Sequence, residues 1–255
     1  IVFVLVPGGD TYVGVQGDDP QAPYYDPTQY HVHPLQAVTL EPFFISKYEV
    51  TQGQWSRLVG EQDGLLPGPE ALELVGVKRR PSYFNAGNRE EHDPDRLPVE
   101  QVSPIECDAL LASHGLALPT EVQWEYAGRG GTHTRWHTGE DPSSLLGYEN
   151  LGPDLADGHL LTAPVGSFRP NRFGLYDVAG NVSEWCRDRN GPRDGRPPRP
   201  GDGLRPPPPG RGGRVIRGAN YGNVLGHARI GVSSSAIPEE RNRAIGVRAV
   251  RAVLP

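Results

Sequence analysis

An apolar run over residues 2–6 and an alternating one over 11–15 flank Pro7-Gly8-Gly9, a pattern that predicts two strands joined by a tight turn as a hairpin. Residues 16–36 are polar and punctuated by proline, as loops are. Strand character returns at 38–40 and 43–50. Thr51 follows, placed so that its hydroxyl can accept from the first-turn amides of a short helix running to Val59. Residues 70–75 carry the spacing of one helical turn, and 81–97 read as loop. A second helix is predicted from Pro104, with Ser103 as its cap. Ile105, Ala109, Leu110, Ala112 and His114 form its largely apolar face, and Gly115 ends it. Thr120 and Gln123 form a capping box for a third helix, whose apolar contacts come from Val122, Trp124, Tyr126 and Ala127. Two further strand signals, 214–218 and 245–251, close the chain.

Residues 163–168 and 173–185 fit neither period. They crowd glycines, carboxylates, Asn181 and aromatics into a few turns, which suits a backbone folded tightly around buried polar groups. Composition agrees: 33 glycines, 27 prolines and only 36% hydrophobic residues among 255 predict an α+β, irregular, loop-rich architecture. A chain of this length can bury one substantial core, and we read residues 1–255 as a single domain. Residues 188–214, rich in proline, arginine and glycine, form an insertion too poor in apolar area to fold by itself, expected as a solvated loop or a ligand for a proline-binding module.

A net charge of −6 offers no global basic surface for nucleic acid. No run approaches the roughly 20 apolar residues of a membrane helix, so no membrane insertion is expected. No leader pattern stands at Ile1, and a start inside a strand signal with no methionine anywhere points to a preceding segment, which leaves localisation open. Lys47 and Lys78 are the only lysines, an arginine bias that hints at a GC-rich or thermophilic source.

Candidate chemistry is sparse. His31 and His33 would share one face of an extended segment but lack a third ligand nearby, so they are expected as exposed loop histidines rather than a metal pair. Glu121 and Glu125 lie four apart on one helical face; carboxylates at a helix start are expected to satisfy amides and arginines rather than act as an acid/base pair. Cys107 and Cys186 are too few for a disulfide scaffold, and buried free thiols or a single bridge both remain open.

Several of these motifs together resemble one family. Tyr48-Glu49-Val50-Thr51 before a helix, Leu118-Pro119-Thr120-Glu121 leading into Trp124-Glu125-Tyr126-Ala127, and Gly180-Asn181-Val182-Ser183-Glu184-Trp185 are similar in order and spacing to the formylglycine-generating enzyme (sulfatase-modifying factor) family. That resemblance implies a C-type lectin-like fold. It also implies two structural calcium ions, since hard cations take six to eight oxygen ligands. One would be held by the side chains of Asn150 and Asp157 with the carbonyls of Leu151 and His159. The other would be held by Asp177 and Glu184 with the carbonyls of Gly180 and Val182. At both sites the alternative is side chains that only bond their own turns.

The family's oxidase carries a pair of cysteines between the two closing strands, and residues 218–244 contain none. Soft Cu(I) needs thiolates, so no copper and no oxidase activity are expected. Residues 220–237 also lack Lys, Gln, Glu, Trp and Met, the set that codons of the form NNY cannot encode. Chance would produce that only a few times in a hundred, roughly. The restriction resembles adenine-directed diversification in variable proteins of diversity-generating retroelements, which display a hypervariable C-terminal segment on a C-type lectin fold. The implied function is binding of an unidentified protein or surface ligand through 218–244. Tyr221, Asn223, Val224, Leu225, His227, Ile230, Val232 and Ser234 are the contact residues expected, although Val224, Ile230 and Val232 are also ordinary core types. The alternatives are an oxidase of the formylglycine-generating type and a silent regulatory domain of a larger protein.

Overall fold

In the computed structural model, which describes residues 1–28, 31–60, 76–85, 87–88, 92–152, 157–191, 196–210 and 212–253, the N-terminal arm runs as β1 (Phe3–Val6) and β2 (Gly9–Val13). These strands do not pair with each other as the predicted hairpin. β1 pairs antiparallel with β4 (Phe43–Ser46), and β2 pairs with β3 (Gln36–Leu40). Both ladders keep one register, Phe3 opposite Ser46 and Val13 opposite Gln36, so residues 3–13 and 36–46 form one long interrupted pair. The interruption falls where Pro7 and Pro42 cannot donate to a ladder. Gly8 is needed at the same point, because a Cβ there would lie 2.3 Å from the Leu40 carbonyl oxygen. The strand signal over 43–50 ends early, at Ser46.

Among the described residues three α-helices follow: α1 (Gln52–Gly60), α2 (Pro104–Ser113) and α3 (Glu121–Arg129). Their starts match expectation because the caps form. Thr51 accepts from Gln54 N–H at 3.2 Å, and Ser103 with Glu106 and Thr120 with Gln123 make complete capping boxes. The buried side of α2 is only partly the one expected: Leu110 faces inward, but with Cys107 and Leu111, while Ile105 and Ala112 are exposed. Ser103 and the buried Glu106 fix the helix's rotation from its first turn, sharing a hydrogen bond of 2.8 Å. The helical turn expected at 70–75 lies outside the described residues.

The second half builds a four-stranded sheet, β7-β6-β5-β8, from β5 (Ser183–Arg189), β6 (Arg214–Arg217), β7 (Ser233–Ala236) and β8 (Ile245–Gly246). Only β5 and β8 run parallel in it. β9 (Val250–Ala252) returns to β4 and ties the C-terminus to the N-terminal arm. Trp55, Trp124 and Trp185 are fully buried and carry the centre of the core. Cys107 and Cys186 are free and buried among apolar side chains.

The described part of the 188–214 insertion is a loop, as expected, with most of its prolines and Arg196 and Arg199 out of the core, but it is also strapped to the body. Glu41 N–H donates to the Gly201 carbonyl at 2.8 Å, the Thr120 hydroxyl donates to the Asp202 carbonyl at 2.6 Å, and Arg205 N–H donates to the buried Asp188 at 3.0 Å. Polar anchoring supplies what the apolar content of the segment cannot.

Candidate functional site

The polar stretch before β5 is organised by Asn181, which is fully buried with φ of 61°, a left-handed conformation that asparagine tolerates better than most residues. Its Nδ2 donates to Glu49 Oε2 at 2.6 Å, while its Oδ1 accepts from Ala163 N–H at 2.8 Å and from Asn150 Nδ2 at 3.1 Å. Gly180 beside it admits no side chain, since a Cβ would meet the Asn150 carbonyl oxygen at 2.6 Å. Arg248 enters from beyond β8. It donates to Glu184 through Nε at 2.9 Å and to the carbonyls of Ser46 and Tyr176 at 3.0 and 2.8 Å.

Around this arginine stand Glu49, Glu149, Asp177 and Glu184, all buried. Burial pushes the Asp177 carboxyl up to about 7 and raises Glu184; burial, then the charges of Asp177 and Glu184, raise Glu49 well above the usual carboxylate range. Among the described residues carboxylates outnumber the cations that face them, and Glu149 Oε2, Asn150 Oδ1 and Asp177 Oδ1 have no hydrogen-bond donor.

These oxygens give a divided answer on the two expected calcium sites. Asn150 and Asp177 each hold a buried oxygen that a hard cation would satisfy. Glu184 is already engaged by Arg248 and by Trp124 Nε1 at 2.7 Å. Asp157 accepts from the amides of Leu151 and His159, each at 2.8 Å. Among the described residues no group of three or more His, Cys, Asp or Glu side chains is placed to hold a metal ion. A calcium ion here would therefore need carbonyl and amide oxygens in addition to one or two carboxylates.

A second buried network supports residues 218–244. Arg217, on β6, is 1% exposed and stacks over Trp124 at 5.1 Å. It pairs with Glu125 at 2.8 Å and Glu121 at 3.3 Å. Burial alone would raise the Glu121 carboxyl; His33, Arg217 and Arg205 outweigh it and hold the group well below its ordinary range. His33 is thus no exposed loop histidine, since its Nε2 lies 3.1 Å from Glu121, whereas His31 is exposed. Glu121 and Glu125 satisfy arginines and the Gly14 amide, as the sequence implies.

From this base the chain is held at its backbone. Arg217 Nη2 donates to the Ile230 carbonyl at 2.7 Å, and Trp136 Nε1 donates to the Leu225 carbonyl at 3.1 Å. Ile230 N–H donates to Arg135 O at 2.9 Å, Tyr221 N–H to Asn181 O at 2.9 Å, and Ser233 N–H to His31 O at 2.7 Å. The 3-10 turn Leu225–Ala228 projects between these anchors.

Val224, His227 and Ser234 are exposed on this framework, and Asn223, Leu225 and Val232 are half-buried. Tyr221 and Ile230 are not surface residues. Tyr221 packs edge-on against Phe84 with ring centres 5.7 Å apart, and Ile230 is 1% exposed in the main core. Tyr221 joins Phe84 and Leu97 in one buried cluster and Ile230 joins the main core, so these apolar side chains turn inward.

Sequence reasoning missed Glu49, Glu149, Arg217 and Arg248 as structural centres. Arg217 sits at an inward position of β6 and Arg248 between β8 and β9, within runs of alternating residues whose inward positions are expected to be apolar.

A family model described as sulfatase-modifying factor enzyme 1-like domain matches residues 2–253. The chain is 30% identical to the formylglycine-generating enzyme of Streptomyces coelicolor, over 84% of this chain and 80% of that one. It is 27% identical to the Mus musculus protein named inactive C-alpha-formylglycine-generating enzyme 2, over 84% of this chain and 77% of that one. Among solved structures, Treponema denticola variable protein 1 superposes with a TM-score of 0.75 at 22% identity, covering 98% of this chain and 95% of that one. That likeness establishes the fold: α+β, loop-rich and C-type lectin-like.

Proposed function

The chain belongs to the sulfatase-modifying factor enzyme 1-like family, and from that premise we propose that it is a non-catalytic ligand-binding protein. Residues 218–244 form its diversified surface, in the manner of a diversity-generating retroelement variable protein. One observation carries this. Apart from Arg229 with Asp26, the segment's long-range hydrogen bonds run mainly through its own backbone N–H and C=O groups, which every residue but proline supplies in full, so the side chains outside the core can change while the frame persists. Val224, Leu225, His227, Val232 and Ser234, with Asn223, supply the contacts, a mixture of apolar and adaptable polar groups of the kind that line antibody loops. The partner is a protein or surface ligand met at this face.

Sequencing the gene across a population of source cells tests the proposal. Substitutions confined to adenine-bearing codons within 218–244, beside a matching template repeat, are expected. An invariant segment would overturn it.

The second function, an oxidase of the formylglycine-generating type, has the names of relatives in its favour. Against it, Cys107 and Cys186 sit in separate apolar clusters, and burial pushes both thiols well above their ordinary range. Copper binding with turnover of a cysteine peptide would establish the oxidase and remove the first proposal.

Calcium is proposed as a structural ion at two sites, one at Asn150 and one at Asp177, the second of which would offset the surplus of buried carboxylates. Chelator-treated protein is then expected to melt several degrees lower than protein given excess calcium. Equal melting curves would remove the ion from the account.

A further inference from the structure

Two cavities, of about 530 and 460 Å3, lie on either side of the loop at 20–25 and share Ala22, Pro23 and His133 in their walls. Asp10, Thr11 and Tyr12 of β2 line the larger one, with Tyr24 beneath. Tyr24 is held there at a cost. Its φ of 64° is a left-handed conformation that a bulky residue adopts only when its surroundings over-determine it. Two backbone bonds do so: Tyr24 N–H donates to His133 O at 2.9 Å, and Gln16 N–H donates to Tyr24 O at 3.0 Å. Strain of this kind clusters at ligand sites.

We propose that this cavity is a second binding site, separate from residues 218–244, and that it takes a neutral sugar ring stacked on Tyr12. The arrangement of the rings selects the ligand class. Tyr24 is committed: Arg129 sits over it at 4.9 Å, and the His133 ring lies against it with centres 4.8 Å apart. Tyr12 and Tyr24 are 6.2 Å apart and tilted by 50°, already in contact, so no ammonium group fits between them as in an aromatic cage. What remains free is Tyr12, which is 52% exposed on the same strand face as Asp10. Asp10 accepts from the Thr39 hydroxyl at 2.6 Å through Oδ1, which fixes the carboxylate and leaves Oδ2 for a ligand hydroxyl. One open aromatic platform, a positioned carboxylate and the apolar wall of Leu35 and Pro23 match a ring with an apolar face and hydroxyls at its edge.

Chemical-shift titration of the whole chain with methyl glucoside, methyl galactoside and methyl mannoside tests this, with tetramethylammonium as the competing probe. At least one pyranoside is expected to shift the resonances of Tyr12 and His133. Tyr12→Ala should weaken that binding about tenfold or more, and Asp10→Asn several-fold. Both side chains are exposed, so the variants are expected to fold. Val224→Ser is expected to leave sugar binding unchanged, which separates this site from the proposed display surface. Three results would overturn the proposal: no response to any pyranoside at tens of millimolar, binding indifferent to Tyr12→Ala, or a response to tetramethylammonium alone.

Discussion

The core around Asn181 and the segment at 220–237 are both dense in polar contacts, yet they spend different atoms on them. Around Asn181 the bonds run through side chains: Asn181 to Glu49, Glu184 to Arg248 and Trp124. Each residue identity is therefore part of the structure. Across 220–237 the long-range bonds run mainly to backbone groups, from Arg217, Trp136, Arg135, Asn181 and His31. Side-chain bonds that depart from this include one long-range and one local. Arg229 pairs with the buried Asp26, and Asn223 Oδ1 accepts from Asn220 N–H at 3.0 Å. The contrast teaches that a fold can leave one region free to vary by holding it from outside with residues that are not.

The contrast breaks most severely at the supports. Arg217→Met should destabilise the chain by about 3–5 kcal/mol, because Glu121 and Glu125 would each lose a buried cationic partner, leaving His33 and Arg205 at one and Arg129 at the other to offset the charge. Urea unfolding measures it, and a loss under about 1 kcal/mol would show that the network does not bear on the fold. Gly180→Ala comes next, at about 1–3 kcal/mol by the same measurement, since the added methyl must displace the Asn150 backbone.

A smaller effect is expected at Glu100, whose carboxyl burial pushes up to about 7; its Oε1 accepts from Phe84 N–H at 2.9 Å, and its Oε2 has no partner among the described residues. A raised folded-state value means that the protonated form favours the fold. Its contribution is complete below the ordinary carboxylate range and is lost as pH rises toward 7. Glu100→Gln should flatten the fall in melting temperature between about pH 4 and 7; an unchanged pH profile would assign the fall elsewhere.

Much of this architecture was legible in the residues. Ser103, Thr120 and Thr51 announce their helices because caps act locally, within a turn of the chain. The glycine-rich stretch before Ser183 announces an irregular backbone for the same local reason. The N-terminal pairing was not legible: Pro7-Gly8-Gly9 has the composition of a hairpin turn, and only the distant partner at 36–46 decides that it is a bend within a longer ladder. Nor were Arg217 and Arg248, since burying an arginine depends on carboxylates and carbonyls that the chain brings together from several elements. Of the eight expected contact residues, Tyr221 and Ile230 went to the core, where neighbours unseen in the sequence had room for them.

The most direct test of the central claim is the stability of a library in which Val224, Leu225, His227, Val232 and Ser234 are replaced together by residues that NNY codons encode, leaving Arg217 and Trp136 intact. Because the frame is held at its backbone, most members are predicted to melt within a few degrees of the parent, with single exposed changes inside about 0.5 kcal/mol. A library in which most members lose cooperative unfolding would contradict the claim, making these side chains part of the fold rather than its displayed surface.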